Sequence, residues 1–306
     1  MEFLGKAKGN MVEKMAEVIT KTDLPLKQVS KGKVRDTYEL PDGNLLMIAT
    51  DRLSAFDVVF GQGIPYKGQV LNMLSAFWFS KLAHAVPHHM VSVQMPPGLP
   101  KWLNGRAMVV KRCKPIKMEC VVRGYLVGSG WKEYCEKKSV CGIRLPDGMR
   151  QASKLARPLF TPSTKADVGH DVNVSPAEGR DLVGQAYDEI ERVSIKLYNE
   201  AAKHAESCGI ILADTKFEFG LDEAGKLVWI DEALTPDSSR YWPKESYKEG
   251  ISPPSYDKQF VRDYLEGINW DKKPPAPTLP DEVISGTTNK YVEAYEKLTG
   301  KNFVMR

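Results

Sequence analysis

The sequence predicts an α+β fold, and three patterns carry that prediction. Residues 30–50 read as a strand, the turn Pro41-Asp-Gly-Asn44 and a second strand, Leu45-Leu-Met-Ile-Ala-Thr50. Residues 214–231 repeat the pattern, with Asp214-Thr-Lys-Phe-Glu-Phe-Gly220 joined through a short loop to Leu227-Val-Trp-Ile-Asp231. Between the two lies a helix. Ser175-Pro-Ala-Glu178 is a capping box with proline at the first helical position, and apolar residues then recur at helical spacing from Val183 to Ala205, ending at Gly209. The chain has 306 residues, enough for one large or two ordinary domains, and its 42% hydrophobic and 27% charged content is that of a soluble globular protein. A net charge of +4 suits small anionic substrates without demanding nucleic acid.

The five cysteines, at 113, 120, 135, 141 and 208, are odd in number and lack paired spacing, so they read as the reduced thiols of a cytoplasmic protein. No apolar run reaches membrane-spanning length, and the five histidines form no HExxH pattern, which argues against a zinc enzyme.

In chain order, Met11, Met15, Val18 and Ile19 follow Asn10 at the spacing of a short packing helix. The run Ser30 to Leu40 reads as one strand that places Lys33 and Arg35 on one face beside Gly32. Two cations next to a glycine suit phosphate oxygens, although a basic edge strand has the same pattern. Asp51 to Asp57 reads as a polar turn, Gly61, Gly63 and Gly68 as turn glycines, and Leu71, Leu74, Phe77, Trp78, Leu82 and Ala85 as a core helix stripe. Strands follow at Met108–Val110, running toward Cys113-Lys-Pro-Ile116, and at Glu119–Leu126, where Arg123 interrupts an apolar run. Gly128-Ser-Gly130 then opens a helix. Its free N–H groups, the Ser129 hydroxyl and a nearby arginine suit a phosphate, as a plain serine cap suits a surface helix.

The aperiodic stretch from Phe160 to Ser175 is long enough to suggest a functional loop. Ser255 to Leu265 reads as a helix, Lys272 to Pro280 as an extended surface segment, and Val283 to Leu298 as one or two helices ending at Gly300.

The second hairpin holds the densest chemistry. Alternation places Asp214, Lys216 and Glu218 on one face and Phe217 and Phe219 on the other. Closure through a four-residue loop, Glu223 to Lys226, would pair Asp222 with Leu227 and set Glu218 opposite Asp231. Facing carboxylates repel. A bound cation such as Mg²⁺ accounts for them, and so does an ordinary solvated face.

Several separate stretches resemble one family, the SAICAR synthetases. They are Gly32-Lys-Val-Arg-Asp36, Asp51-Arg-Leu-Ser-Ala-Phe-Asp57, Glu119-Cys-Val-Val-Arg-Gly-Tyr125, Phe160-Thr-Pro-Ser-Thr-Lys165, Asp214 to Gly220 and Asp231-Glu-Ala-Leu-Thr-Pro-Asp-Ser-Ser-Arg240. The resemblance implies an ATP- and Mg²⁺-dependent ligase joining the imidazole ribonucleotide CAIR to L-aspartate, acting on small molecules with no nucleic acid or membrane partner, as a monomer or homodimer. It implies an antiparallel N-terminal sheet (1–115) packed with a larger α/β part (116–306), with ATP between them, distantly like protein kinases and ATP-grasp enzymes.

On the same footing, Lys33 and Arg35 would hold phosphates, Cys113, Lys114, Pro115 and Ile116 the adenine, and Glu119 the ribose. Glu218 and Asp231 would carry Mg²⁺. Arg123, Ser129 and Arg240 would bind the CAIR phosphate, while Lys216, Asp214, Lys165 and Asp171 would border the reacting groups, with Ser54 and Asp57 lining the same site. The chain departs from the family pattern at Val172, where an acid is usual, and at Leu155-Ala-Arg-Pro158, which adds a positive charge. A kinase-like phosphotransferase shares the ATP logic, but no HRD or DFG signature occurs in kinase order. A nucleic-acid-binding role, prompted by a pI of 8.6 and the cations around Lys111, has no RRM, KH or zinc pattern behind it.

Overall fold

The computed structural model describes residues 17–165 and 172–305. The first unit is built on β1 (Gln28–Lys31), β2 (Arg35–Glu39) and β3 (Leu45–Ala49). The run read as one strand from Ser30 to Leu40 is therefore two. The Gly32 N–H donates to the Arg35 carbonyl at 2.7 Å, so the chain folds back and Lys33 rides on the tip of a hairpin. Val18 and Ile19 are not helical. Ile19 instead meets Asp51, whose N–H donates to the Ile19 carbonyl and whose carboxylate accepts from the Ile19 N–H, and the remainder of the predicted N-terminal helix lies outside the described residues.

The Asp51–Asp57 segment is also more ordered than a turn. β4 (Arg52–Ala55) and β5 (Val58–Gly63) form a hairpin through Phe56 and Asp57, both with positive φ, the geometry of a type I′ connection. Gly61 and Gly63 lie within β5, and Gly68 lies in the first turn of α1 (Lys67–Lys81), not in a loop. A Cβ at Gly68 would stand 2.1 Å from the Ala49 carbonyl oxygen, so only glycine lets α1 start against β3. β6 (Met90–Ser92) and β7 (Ala107–Val110) complete a five-stranded antiparallel sheet in the order β1-β2-β3-β7-β6.

The second sheet has seven strands. β8 (Lys114–Pro115) leads into β9 (Met118–Tyr125) and α2 (Gly128–Lys137). A small ribbon, β10 (Ser139–Val140) with β11 (Ile143–Arg144), precedes β12 (Lys154–Phe160) and β13 (Ser163–Thr164). The capping box is present at Ser175, but the helix it starts is broken: α3 (Pro176–Val183) stops at Gly184 (φ 61°, ψ −139°) and α4 (Ala186–Ser207) begins afresh. A Cβ on Gly179 would sit 2.4 Å from the Tyr187 ring, which shows how tightly the two helices fold on each other.

β14 (Ile210–Leu221) is the central strand. Its first half pairs with β9 and β16 (Ser239–Pro243), its second half with β8 and β15 (Leu227–Ile230), and every pairing is antiparallel. β16 went unpredicted because Ser-Arg-Tyr-Trp-Pro is short and ends in proline.

α5 (Gln259–Gly267) starts later than its sequence pattern; Asp257, one residue before its N-cap Lys258, accepts from the Gln259 N–H at 2.7 Å. The proline segment before α6 (Asp281–Thr299) is extended, as expected, but it is anchored: the Gln62 side chain bonds both the N–H and the carbonyl of Leu279. The apolar face of α4 packs on β9 and β14, and the same core takes in Trp78 of α1, Trp229 of β15 and Tyr291 of α6. No helix among the described residues is long and apolar enough to cross a membrane. Gly68→Ala is expected to lower stability by about 1–3 kcal/mol, the usual cost of overpacking. A reduced urea midpoint would measure it, and an unchanged midpoint would mean that α1 can move off β3.

Candidate active site

β14 presents its two faces as alternation requires. Phe217 and Phe219 are fully buried against the core, while Asp214, Lys216 and Glu218 point the other way, into a charged cleft. The hairpin register differs from the predicted one by a residue. Leu221, not Asp222, pairs with Leu227, and Glu218 faces Ile230. The Asp222 carboxylate accepts from the N–H groups of Ala224 and Lys226, and Gly225 takes φ +74°, so the loop closes one residue tighter on that side. Asp231 nevertheless faces the cations of the cleft, its carboxylate lying 3.6 Å from Arg35 Nη1. It leaves the strand with φ +63°, and this left-handed kink brings its carboxylate back to the cleft. Burial and the Glu218 charge together raise the Asp231 pKa. Burial also works against the Glu218 carboxylate, but Lys216 and Lys165 outweigh it and hold Glu218 at about 2.

Cations surround the acid pair. Lys216 Nζ contacts Glu218 and lies 2.9 Å from Glu119, and Arg35 contacts Glu232 and lies 3.6 Å from Asp231. Lys33 and Arg35 are close in sequence but serve different partners, because Lys33 at the hairpin tip pairs with Asp57. Cys113 to Ile116 passes from the first sheet to the second. Lys114 and Pro115 run along the end of β14, and Gly220 allows the approach, since a Cβ there would lie 2.9 Å from the Lys114 carbonyl. Carboxylate oxygens ringed by cations are hard donors of the kind that suits Mg²⁺ on a polyphosphate.

At the other end of the same face, Asp214 is clamped between Arg123 (3.1 Å) and Arg240 (2.5 Å). Arg123 also donates to Thr161 Oγ1 at 3.0 Å and to Ser129 Oγ at 2.9 Å. The cap of α2 is Val127, with no side-chain cap, so Ser129 is free for this contact and the serine-cap reading falls. Gly128 takes φ +59° here, which favours glycine, and a Cβ would stand 2.6 Å from Arg240 Nη2 and push that guanidinium aside.

Arg240 lines two cavities. One, of about 450 Å³, is lined by Phe56, Asp57, Gly128, Ser129, Arg240 and Arg262. The other, of about 260 Å³, is lined by Glu119, Arg123, Asp214, Lys216, Asp237 and Lys258, among others. Ser54 is buried in β4 and lines neither, and Asp171 lies outside the described residues. Val172, at the edge of the predicted loop, is exposed.

Two groups of residues escaped the sequence reading. Arg262 lines both cavities beneath the Phe56 ring. The second group is a buried network: Asp237 accepts from Lys67 (2.7 Å), Lys258 (2.9 Å) and Tyr291 (2.7 Å). Lys67 and Tyr291 are far from Asp237 in sequence; Lys67 fell in the stretch read as turn glycines, and only the helix containing Tyr291 was legible. Burial opposes the Asp237 charge, but Lys258, Lys67 and the two hydrogen bonds hold its carboxyl well below the ordinary aspartate value of 3.8.

The SAICAR synthetase family model matches residues 28–277. A phosphoribosylaminoimidazole-succinocarboxamide synthase of Methylobacillus flagellatus is 53% identical over 285 residues, spanning 91% of this chain and 96% of that one. One from Pasteurella multocida is 54% identical over 284 residues, spanning 91% and 99%. Among solved structures, a Saccharomyces cerevisiae SAICAR synthase complexed with SAICAR superposes with a TM-score of 0.84 at 42% identity, covering 94% of this chain and all of that one. A SAICAR synthetase in complex with ADP superposes at 0.68 with 25% identity, covering 90% and 99%.

Asp237→Asn would leave two buried ammonium groups without their anion, and the expected loss at pH 7 is about 3–5 kcal/mol. The folded pKa is depressed, so the wild-type contribution is complete above the ordinary value and disappears as pH falls through the folded one. Urea unfolding of both proteins should therefore show a gap that narrows below about pH 4. A gap independent of pH would exclude the carboxylate as its source.

Proposed function

The chain belongs to the SAICAR synthetase family, and we propose that the charged face of β14 is the bed on which its ligase reaction runs. The reaction joins the carboxylate of CAIR to the amine of L-aspartate with conversion of ATP to ADP and phosphate, a step of purine biosynthesis. The observation that supports this assignment is the order of groups along one strand face. An acid pair stands at Glu218, an ammonium at Lys216 and a two-arginine clamp at Asp214. Four residues of strand separate the ends by roughly 13 Å, a span suited to a ribonucleotide with its phosphate at Arg123, Ser129 and Arg240 and its carboxylate near Lys216.

ATP would lie between the five-stranded sheet and the larger part of the chain, with adenine against Cys113 to Ile116 and Glu119 at the ribose. Lys33 and Arg35 would exchange their present carboxylate partners for phosphate oxygens. Glu218 and Asp231 would hold Mg²⁺, which when bound neutralises charge on the nucleotide phosphates. A carboxylate is a poor electrophile at neutral pH. Transfer of the γ-phosphoryl group to a CAIR carboxylate oxygen releases ADP and creates a leaving group. The aspartate nitrogen then attacks the carbonyl carbon, a C–N bond forms, and phosphate departs with the C–O electron pair while the amine loses a proton. Lys216 and Lys165 stand where negative charge accumulates, so the protein's work is positioning and charge compensation, with no nucleophilic side chain.

ADP release should require CAIR, L-aspartate, ATP and Mg²⁺ together, with equimolar succinocarboxamide product. Release without aspartate, leaving phosphate on an acceptor, would instead indicate a phosphotransferase. Glu218→Gln should lower kcat by at least about a hundredfold while circular dichroism stays unchanged. Normal turnover and Mg²⁺ dependence in that variant would remove Glu218 from the site.

A further inference from the structure

Arg52, at the start of β4, lines neither cavity, yet it is 7% exposed and all five of its guanidinium N–H groups are used. Two go to the buried Asp36 carboxylate, Nη1 to Oδ2 at 3.0 Å and Nη2 to Oδ1 at 2.7 Å. A third, from Nη1, reaches the Thr20 carbonyl at 3.0 Å. The last two fall on the tip of the β1–β2 hairpin. Nη2 donates to the Gly32 carbonyl at 3.0 Å, and Nε donates to the Lys33 carbonyl at 3.1 Å. The next carbonyl, that of Val34, accepts from the Thr50 N–H at 2.9 Å and from the Thr50 hydroxyl at 2.8 Å. Thr50 Oγ1 accepts in turn from the Arg52 N–H at 3.3 Å.

Pairing with Asp36 needs only two of these donors, and a lysine could supply the charge. The other three go to backbone carbonyls, two of them in the turn that carries Lys33. Carbonyl oxygens are partly negative and would repel a phosphate. Those of residues 32 to 34 are instead drawn onto Thr50 and Arg52, which leaves the tip to its cations. The turn closes on itself through the Gly32 N–H and the Arg35 carbonyl, and a glycine there adds freedom that an outside grip removes. The same β4–β5 hairpin holds the Lys33 side chain, through Asp57 at its own tip. We infer that Arg52 is a positioning residue for nucleotide binding: its grip on the Gly32 and Lys33 carbonyls fixes the hairpin tip that presents Lys33 to the phosphates. The inference rests on the reading of Lys33 and Arg35 as phosphate ligands.

The test compares the affinity of the full chain for ATP with Mg²⁺ and for adenosine, both by titration calorimetry. Arg52→Lys keeps a cation beside Asp36, but its donors share one nitrogen and cannot span the carboxylate and both carbonyls. This variant should bind ATP about tenfold more weakly, the scale of losing one hydrogen bond to a charged group. Its adenosine affinity should be unchanged, because adenosine has no phosphate for the tip to hold. A folded Lys variant with wild-type ATP affinity overturns the inference. So does an equal loss of adenosine affinity, which would mark Arg52 as a fold support only. If the Lys variant fails to fold, Arg52→Gln combined with Asp36→Asn decides by the same two affinities, since that pair leaves no buried charge without its counter-ion. Failure of the pair to fold also counts against the inference. Lys33→Ala is the control: unchanged ATP affinity there defeats the phosphate reading itself, whereas loss there with none at Arg52→Lys defeats only the role of Arg52.

Discussion

Phe217 and Phe219 are buried on one side of β14, and Asp214, Lys216 and Glu218 stand on the other. In a strand those two facts are a single constraint. A slip of one residue would carry all three charges into the core and expose both rings. Burying each ring contributes about 1.5–3 kcal/mol, and each unpaired charge forced inward would cost several more. The register of the cleft is thus held by the core behind it, chiefly Phe79, Trp229 and the face of α4. Because β14 pairs with β16 and β9 in its first half and with β15 and β8 in its second, it cannot shift without breaking all four together. Side chains for the chemistry can then be long, charged and strained at no risk to the fold.

The cleft without substrate is electrically self-satisfied. Glu218 rests on Lys165 and Lys216, Asp214 on Arg123 and Arg240, Lys33 on Asp57, and Arg35 on Asp231 and Glu232. Each pairing joins a group that in the proposed reaction would bind an anionic substrate or carry a metal to a counter-ion already in the protein. Binding of a polyphosphate or a metal is an exchange of partners more than a fresh desolvation, so the dominant electrostatic cost of assembling the site is met during folding. The depressed pKa of Glu218 and the raised pKa of Asp231 reflect the same arrangement, with the cations concentrated on one acid of the pair.

How much of this was legible follows from the range of each interaction. The capping box at Ser175, the stripe of α1 and the alternation in β14 are local, and each was readable from neighbours within one or two turns. The resemblance added the grouping of Arg123, Ser129 and Arg240, which the structure brings together around Asp214. Errors arose where a side chain overrides backbone pattern. Asp222 tightens its own loop and slips the hairpin by one residue; Gly32 turns one apparent strand into two; Gly184 breaks a helix whose apolar stripe runs on without interruption. For the acid pair the predicted ladder does not form: Glu218 faces Ile230, and Asp231 turns out of the strand with a left-handed φ of +63°.

Lys67 shows why the remainder was invisible. It is a fully buried lysine at the start of an otherwise apolar helix, and nothing local explains it. Its ammonium meets Asp237 from a loop 170 positions away, where Lys258 from the start of α5 and Tyr291 from α6 converge on the same carboxylate. Three helices are thereby tied to the loop between β15 and β16. That loop leads into β16, where Arg240 is one jaw of the clamp on Asp214 and lines both cavities. A buried ion network is weak as a source of stability, since burial removes most of what the charges gain. Its effect here is geometric: Asp237 has bonds to three elements, so the loop has one position, and Arg240 enters the cleft from a fixed point.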